Sequence, residues 1–220
     1  MRRNNVFIIT FLLGLLSVIL SPAIAPNFIA SAIPGFYEGA PCSWLRTGGN
    51  RAAHQSILGR TRDPNALSVE VDADPLPANP SGMLVVRVTL INNTLGTLAI
   101  VYNPQQVITG DNGTSGIGLI FNPALNIPLG PGRAPVQTFP ESDIRLLGPR
   151  QRCVHTQEIP AGNVLINPVF QAGQGQVSAY YRNNTPGLVV PQPGPTPIYP
   201  DQGLWTGFVS SSPEMIPVGG

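Results

Sequence analysis

Along Leu67–Ala73 apolar and polar side chains alternate without interruption. Leu67, Val69, Val71 and Ala73 take one side, and Ser68, Glu70 and Asp72 the other. A period of two belongs to an extended strand with one dry face and one wet face. Residues 74–82 hold Pro75, Pro77, Pro80 and Gly82 and read as a loop. Residues 83–91 are rich in Val and Leu, with Arg87 and Thr89 on the outer side, and predict a second strand. Asn92-Asn93-Thr94-Leu95-Gly96 predicts a turn, and residues 97–102 a third strand. A loop containing Asp111-Asn112-Gly113 leads to a strand over 117–121. Residues 122–140 are irregular, broken by Pro123, Pro128, Pro131 and Pro135. Strands are predicted again over 143–147, 152–156, 164–170 and 176–182, with Ala161-Gly162 as a turn before Val164. The expected fold class is all-β: an immunoglobulin-like antiparallel β-sandwich of about 7–8 short strands.

The ends of the chain follow other patterns. After Met1-Arg2-Arg3, residues 6–20 are almost wholly apolar, and the next charge after Arg3 is Glu38. A short basic stretch before an apolar core is the pattern of a secretory signal, with the arginines on the cytoplasmic side. Ala23-Ile24-Ala25 and Ala30-Ser31-Ala32 offer small-residue cleavage sites, the first followed at once by Pro26. Residues 6–25 would also make about 30 Å of helix, enough to span a hydrocarbon core as a retained anchor. Both readings place the body outside the cytoplasm. The expected organisation is a signal peptide or transmembrane helix over 1–32, an Arg-bearing linker over 33–65 with a short helix over 50–58, the sandwich over 66–184, and an extended Pro-rich arm over 185–220.

Charge narrows the chemistry. The 220 residues carry 12 basic side chains, all of them Arg, and 11 acids, for a net charge of +1. Without Lys there is no Schiff-base amine, Ser-Lys dyad or phosphate-loop lysine. The near-neutral balance gives no sign of a nucleic-acid binder. Arg46, Arg51, Arg60 and Arg62 lie together without an intervening acid and are candidate contacts for an anionic partner. In the C-terminal segment Leu204, Trp205 and Phe208 are candidate apolar contacts.

Cys42 and Cys153 are the two cysteines, and an even count in an exported chain predicts a disulfide. A bridge closing a loop of about 110 residues contributes up to ~4–5 kcal/mol in the chain-entropy model. The alternative set of Cys42, His54, Cys153 and His155 lacks zinc-finger spacing. No His-Glu-x-x-His, Gly-x-Ser-x-Gly or nucleotide-binding glycine pattern is present. Glu70, Asp72 and Asp74 recur at every second position, which suits a weak hydrolase or calcium reading as well as a wet strand face. Asn92, Asn112 and Asn183 each begin an Asn-x-Thr glycosylation pattern.

These features favour a non-enzymatic, extracytoplasmic, membrane-anchored interaction protein without a cofactor or metal, binding a protein partner. The alternative is a released module that binds carbohydrate or peptide through Trp44, Trp205, Tyr180 or Tyr181.

Overall fold

The computed structural model describes residues 14, 39–48, 63, 65–105, 108–110, 113–125, 127, 137–189 and 201–219. The architecture is that of the compact unit spanning residues 40–220. The expected N-terminal helix (apart from Gly14), the helix over 50–58 and most of the Pro-rich stretch lie outside the described residues. Among the described residues no helix is long and apolar enough to cross a membrane.

The fold is all-β. Eleven strands occur among the described residues: β1 (Ala40–Pro41), β2 (Leu67–Ala73), β3 (Met83–Asn92), β4 (Leu98–Val101), β5 (Ile108–Thr109), β6 (Gly116–Asn122), β7 (Ile144–Leu147), β8 (Arg152–Pro160), β9 (Gln176–Asn183), β10 (Gly207–Ser210) and β11 (Glu214–Met215). The first sheet has the order β1-β8-β3-β2 and the second β10-β9-β6-β5, with β11 also on β9. Most pairings are antiparallel, but β1 with β8 and β5 with β6 are parallel.

The two larger sheets lie face to face, sandwich-like, and the alternation along each strand decides what the core contains. In the first sheet β3 turns Leu84, Val86, Val88 and Leu90 inward. Leu90 lies between Val69 and Cys153, and Val88 between Val71 and His155. In the second, Ile117, Leu119 and Phe121 pair with Tyr181, Ala179 and Val177, all buried. Trp205 stacks against Tyr181 with ring centroids 5.8 Å apart. Fully burying aliphatic side chains of this size stabilises by about 1.5–3 kcal/mol each.

The two-stranded ladder of β4 and β7 joins two apolar clusters. Leu98, Ile100 and Leu147 reach the main core, whereas Ala99, Val101, Ile144 and Leu146 pack with Phe139 and Leu204. Gln202 completes that smaller cluster. Its side-chain amide accepts from Phe139 N–H at 2.8 Å and donates to the Phe139 carbonyl at 2.9 Å, as a neighbouring strand would.

Two expectations are corrected here. Residues 164–170 are helical rather than extended: α1 (Ala161–Leu165) and α2 (Pro168–Gln171). The buried side chains Ala161 and Val164 are three residues apart, a helical spacing. Asn167 then caps α2 by accepting from Val169 N–H, with Pro168 in the first turn, where its missing N–H costs nothing. The second correction concerns the C-terminal segment, whose described end belongs to the sandwich rather than to an extended arm. β10 and β11 both pair with β9, Leu76 N–H donates to Pro217, and Gly219 N–H donates back to Leu76.

Candidate functional site

The outer face of the second sheet is built around Tyr180. Alternation along β9 turns this ring away from the core, yet it is fully buried. It lies across Gly118 on the neighbouring strand, and a Cβ at position 118 would run into the ring. The Tyr180 hydroxyl donates to the Gly110 carbonyl at 2.8 Å. Phe208 stands opposite Arg182 in the β9–β10 register. Its ring centroid is 5.6 Å from that of Tyr180. The Arg182 guanidinium lies 4.8 Å from the Phe208 centroid and 5.9 Å from that of Tyr180. Phe208 nevertheless remains 45% exposed, and Ile120 and Met215 are also exposed.

The outer face of the first sheet is different. Arg87 on β3 donates to Asp74 through two nitrogens, at 2.6 and 2.9 Å, and to Asp72 at 3.1 Å. Asp74 lies just beyond β2 and joins the sheet through its N–H to the Val85 carbonyl. Its hydrogen bonds from Arg87 hold its carboxyl below the usual range. A general acid in sugar hydrolysis needs the opposite shift. Asp72 and Asp74 thus share the Arg87 guanidinium, and the shift at Asp74 does not suit a general acid.

The other candidate residues divide by burial. Cys42 and Cys153 form the expected disulfide, which ties the segment after β1 to β8 and removes both thiols from any metal set. Arg46 is exposed, whereas Arg51, Arg60, Arg62 and His54 lie outside the described residues. Leu204 and Trp205 are buried, correcting their assignment as partner contacts. Trp205 fills the core and its indole N–H donates to the Asp63 carbonyl at 3.2 Å. Of the three apolar contacts expected near the C-terminus, Phe208 alone is exposed. Among the proposed aromatic binders, Tyr180, Tyr181 and Trp205 are buried, and Trp44 is 79% exposed.

Two polar features were not assigned from sequence. The first is a repeated corner. Asn92-Asn93-Thr94-Leu95-Gly96 ends β3 and Asn183-Asn184-Thr185-Pro186-Gly187 ends β9. Asn92 donates to the carbonyls of Gly96, Leu147 and Gly148, and Asn183 to those of Thr185 and Trp205. In each corner the Thr hydroxyl accepts from the Gly N–H at 3.2 Å. Both leading asparagines are buried and their amide nitrogens are committed, so the two triplets are folding corners rather than accessible sugar acceptors. Asn112 lies outside the described residues.

The second feature is buried His155. Its Nδ1 shares a 2.8 Å hydrogen bond with the Tyr102 hydroxyl, while its Nε2 has no partner. Burial pushes the imidazole below its usual range, partly opposed by the Gln157 side chain, and raises Tyr102 to about 12.

No protein-family model, curated protein or solved structure matches this chain.

Proposed function

We propose that the chain is a non-enzymatic, extracytoplasmic interaction protein that meets a protein partner through the outer face of its second sheet. It acts as an accessory subunit or surface module, with the apolar segment over 6–25 as its membrane signal or anchor. The observation that carries the reading is Phe208, a ring 45% exposed on an edge strand and braced by Arg182 and Tyr180. Aromatic and Arg side chains held in place by their neighbours are the usual energetic centres of protein interfaces. The Cys42–Cys153 bond supports an oxidising compartment. The facing sheets support an immunoglobulin-like architecture, although this disulfide binds one sheet's edge and does not cross between sheets as in antibody domains.

A photo-crosslinking residue placed at Phe208 in the full chain, within native envelopes, tests the contact. A discrete adduct from position 208, absent from position 89 on the first sheet's outer face, supports the reading. Equal labelling from both positions, or none from 208, overturns it. The intact mass of the envelope-extracted protein, taken without reductant, decides between anchor and cleaved signal. A mass of 23.3 kDa means retention.

Trp44 favours a second reading, a released carbohydrate- or peptide-binding module. The ring is 79% exposed two residues from the disulfide. Quenching of tryptophan emission by a glycan or peptide, lost in Trp44→Ala, would support it; unchanged quenching in the variant would exclude Trp44 as the contact.

A further inference from the structure

We propose that the Tyr102–His155 contact is an acid-released latch: when the buried imidazole gains a proton, Tyr102 and the end of β4 withdraw from β8.

The geometry is that of a tie between separate parts of the fold. His155 points inward from the first sheet, where it sits beside Val88 and is 5% exposed. Tyr102 follows β4, in the two-stranded ladder, and its ring meets the imidazole edge-on at 5.7 Å. Tyr102 N–H donates to the Asp143 carbonyl at 2.7 Å, so the latch sits where the two strands of that ladder meet. Whichever tautomer the ring adopts, Tyr102 serves one nitrogen and nothing serves the other.

The surroundings suit a neutral ring and not a charged one. From β3 the facing side chain is Val88, while Arg87 lies on the opposite face of that strand with its carboxylates. The segment after β1 contributes Cys42, which is disulfide-bonded. From β9 the inward titratable group is Tyr181, a neutral phenol whose oxygen accepts from Val101 N–H at 2.8 Å. From β7 comes Arg145, a cation that acts electrostatically on Tyr102 and whose own Nε is buried without a partner. Asp143, before β7, carries the nearby carboxylate and receives the Ser142 hydroxyl. On β8 itself, the Gln157 side chain favours the charged ring but less strongly than burial disfavours it, and Arg152 and Glu158 alternate to the outer face. Among the described residues no carboxylate is paired with His155. An imidazolium here would be buried without a carboxylate beside it, and a buried charge without a partner is costly. Water must reach the ring to solvate it, and with Tyr102 in place the ring is closed off from solvent.

Hydrogen exchange on the full chain, followed from pH 7.5 to 4.5, tests this. If opening is coupled to one proton, the protection factors of residues 98–105 fall by about tenfold per pH unit below the ordinary imidazole value near 6.5. Residues 84–90 on β3 serve as the internal control and stay protected. His155→Gln should abolish the pH dependence, and Tyr102→Phe should lower protection already at neutral pH. Constant protection in the wild type, or an unchanged pH dependence in His155→Gln, overturns the proposal. Should His155→Gln not fold, the wild-type His155 ring resonance decides: titration at the ordinary value, without concurrent loss of protection at 98–105, overturns it.

Discussion

The central strands of the two larger sheets, β3 and β9, are built alike on the inside and differently on the outside. Each buries every second side chain and ends in an Asn-Asn-Thr-x-Gly corner whose first Asn is buried and bonded to several backbone carbonyls. On their outer faces they part. β3 carries Arg87, closed on Asp72 and Asp74, while β9 carries Tyr180 and Arg182 beneath the exposed Phe208. Inner face and corner are thus common architecture, and the difference between outer faces is where recognition belongs. A charge cluster satisfied within the sheet offers a partner little, because those bonds must be broken before new ones form. A braced aromatic ring offers apolar area already held in position.

The largest effect should separate the first sheet from the second. The disulfide spans 111 residues in sequence and ties the first sheet alone, through β8. Replacing both cysteines with Ser should cost about 4 kcal/mol in urea unfolding and loosen β1 and β8 before β10. The corners come next. Asn92→Ala and Asn183→Ala should each cost about 3 kcal/mol by the same assay, since each removes a buried amide that donates to backbone carbonyls at the end of its strand. Asn183 should be the costlier, because the Gly96 and Gly148 carbonyls at the Asn92 corner keep the Thr94 hydroxyl and the Gln151 N–H as donors. A large loss at one corner and none at the other would break the likeness between the strands.

The outer faces give smaller effects. Gly118→Ala drives a methyl into the Tyr180 ring and should cost about 2 kcal/mol in thermal unfolding, with altered near-ultraviolet dichroism from the displaced tyrosine. Thr89→Ala on the first sheet's outer face should stay within about 0.5 kcal/mol. The smallest effect is at Asp74. Its carboxyl lies below the ordinary 3.8, so the unfolded chain holds more protons there than the folded one. The resulting stability is complete above pH 3.8 and is lost as pH falls through the lowered value. The pair is about 40% exposed, which limits the effect to about 0.5 kcal/mol. Comparing melting temperature from pH 5 to 2 in wild type and Asp74→Asn should show it as a shallower acid slope in the variant.

The strands legible in the sequence were those with one dry face. β2 and β3 announce themselves through Val, Leu and alternating polar positions. The helices α1 and α2 hide in the same apolar vocabulary, because a short run such as Val164-Leu165-Ile166 fits either period. The repeated corner was visible as two Asn-Asn-Thr-x-Gly strings, but a polar triplet in a turn looks the same whether its Asn is buried or wet. The aromatic face was half legible: Phe208 was singled out, whereas its brace came from Arg182 and Tyr180 across a strand pairing.

What the sequence determined by itself was local: the periods of β2 and β3, the turns set by Pro and Gly, and the cysteine pair available for bonding. Which C-terminal aromatic is presented to solvent was decided only in three dimensions. Trp205 and Phe208 stand three residues apart in the same segment, but Trp205 enters the space between the sheets, where its indole N–H finds a carbonyl, and Phe208 falls on the outer side of β10. The same holds for His155 and Tyr102, 53 residues apart, whose hydrogen bond exists because separate strands carry them into one dry space. Chain pattern states which side chains prefer to leave water; packing between distant elements decides which of them can.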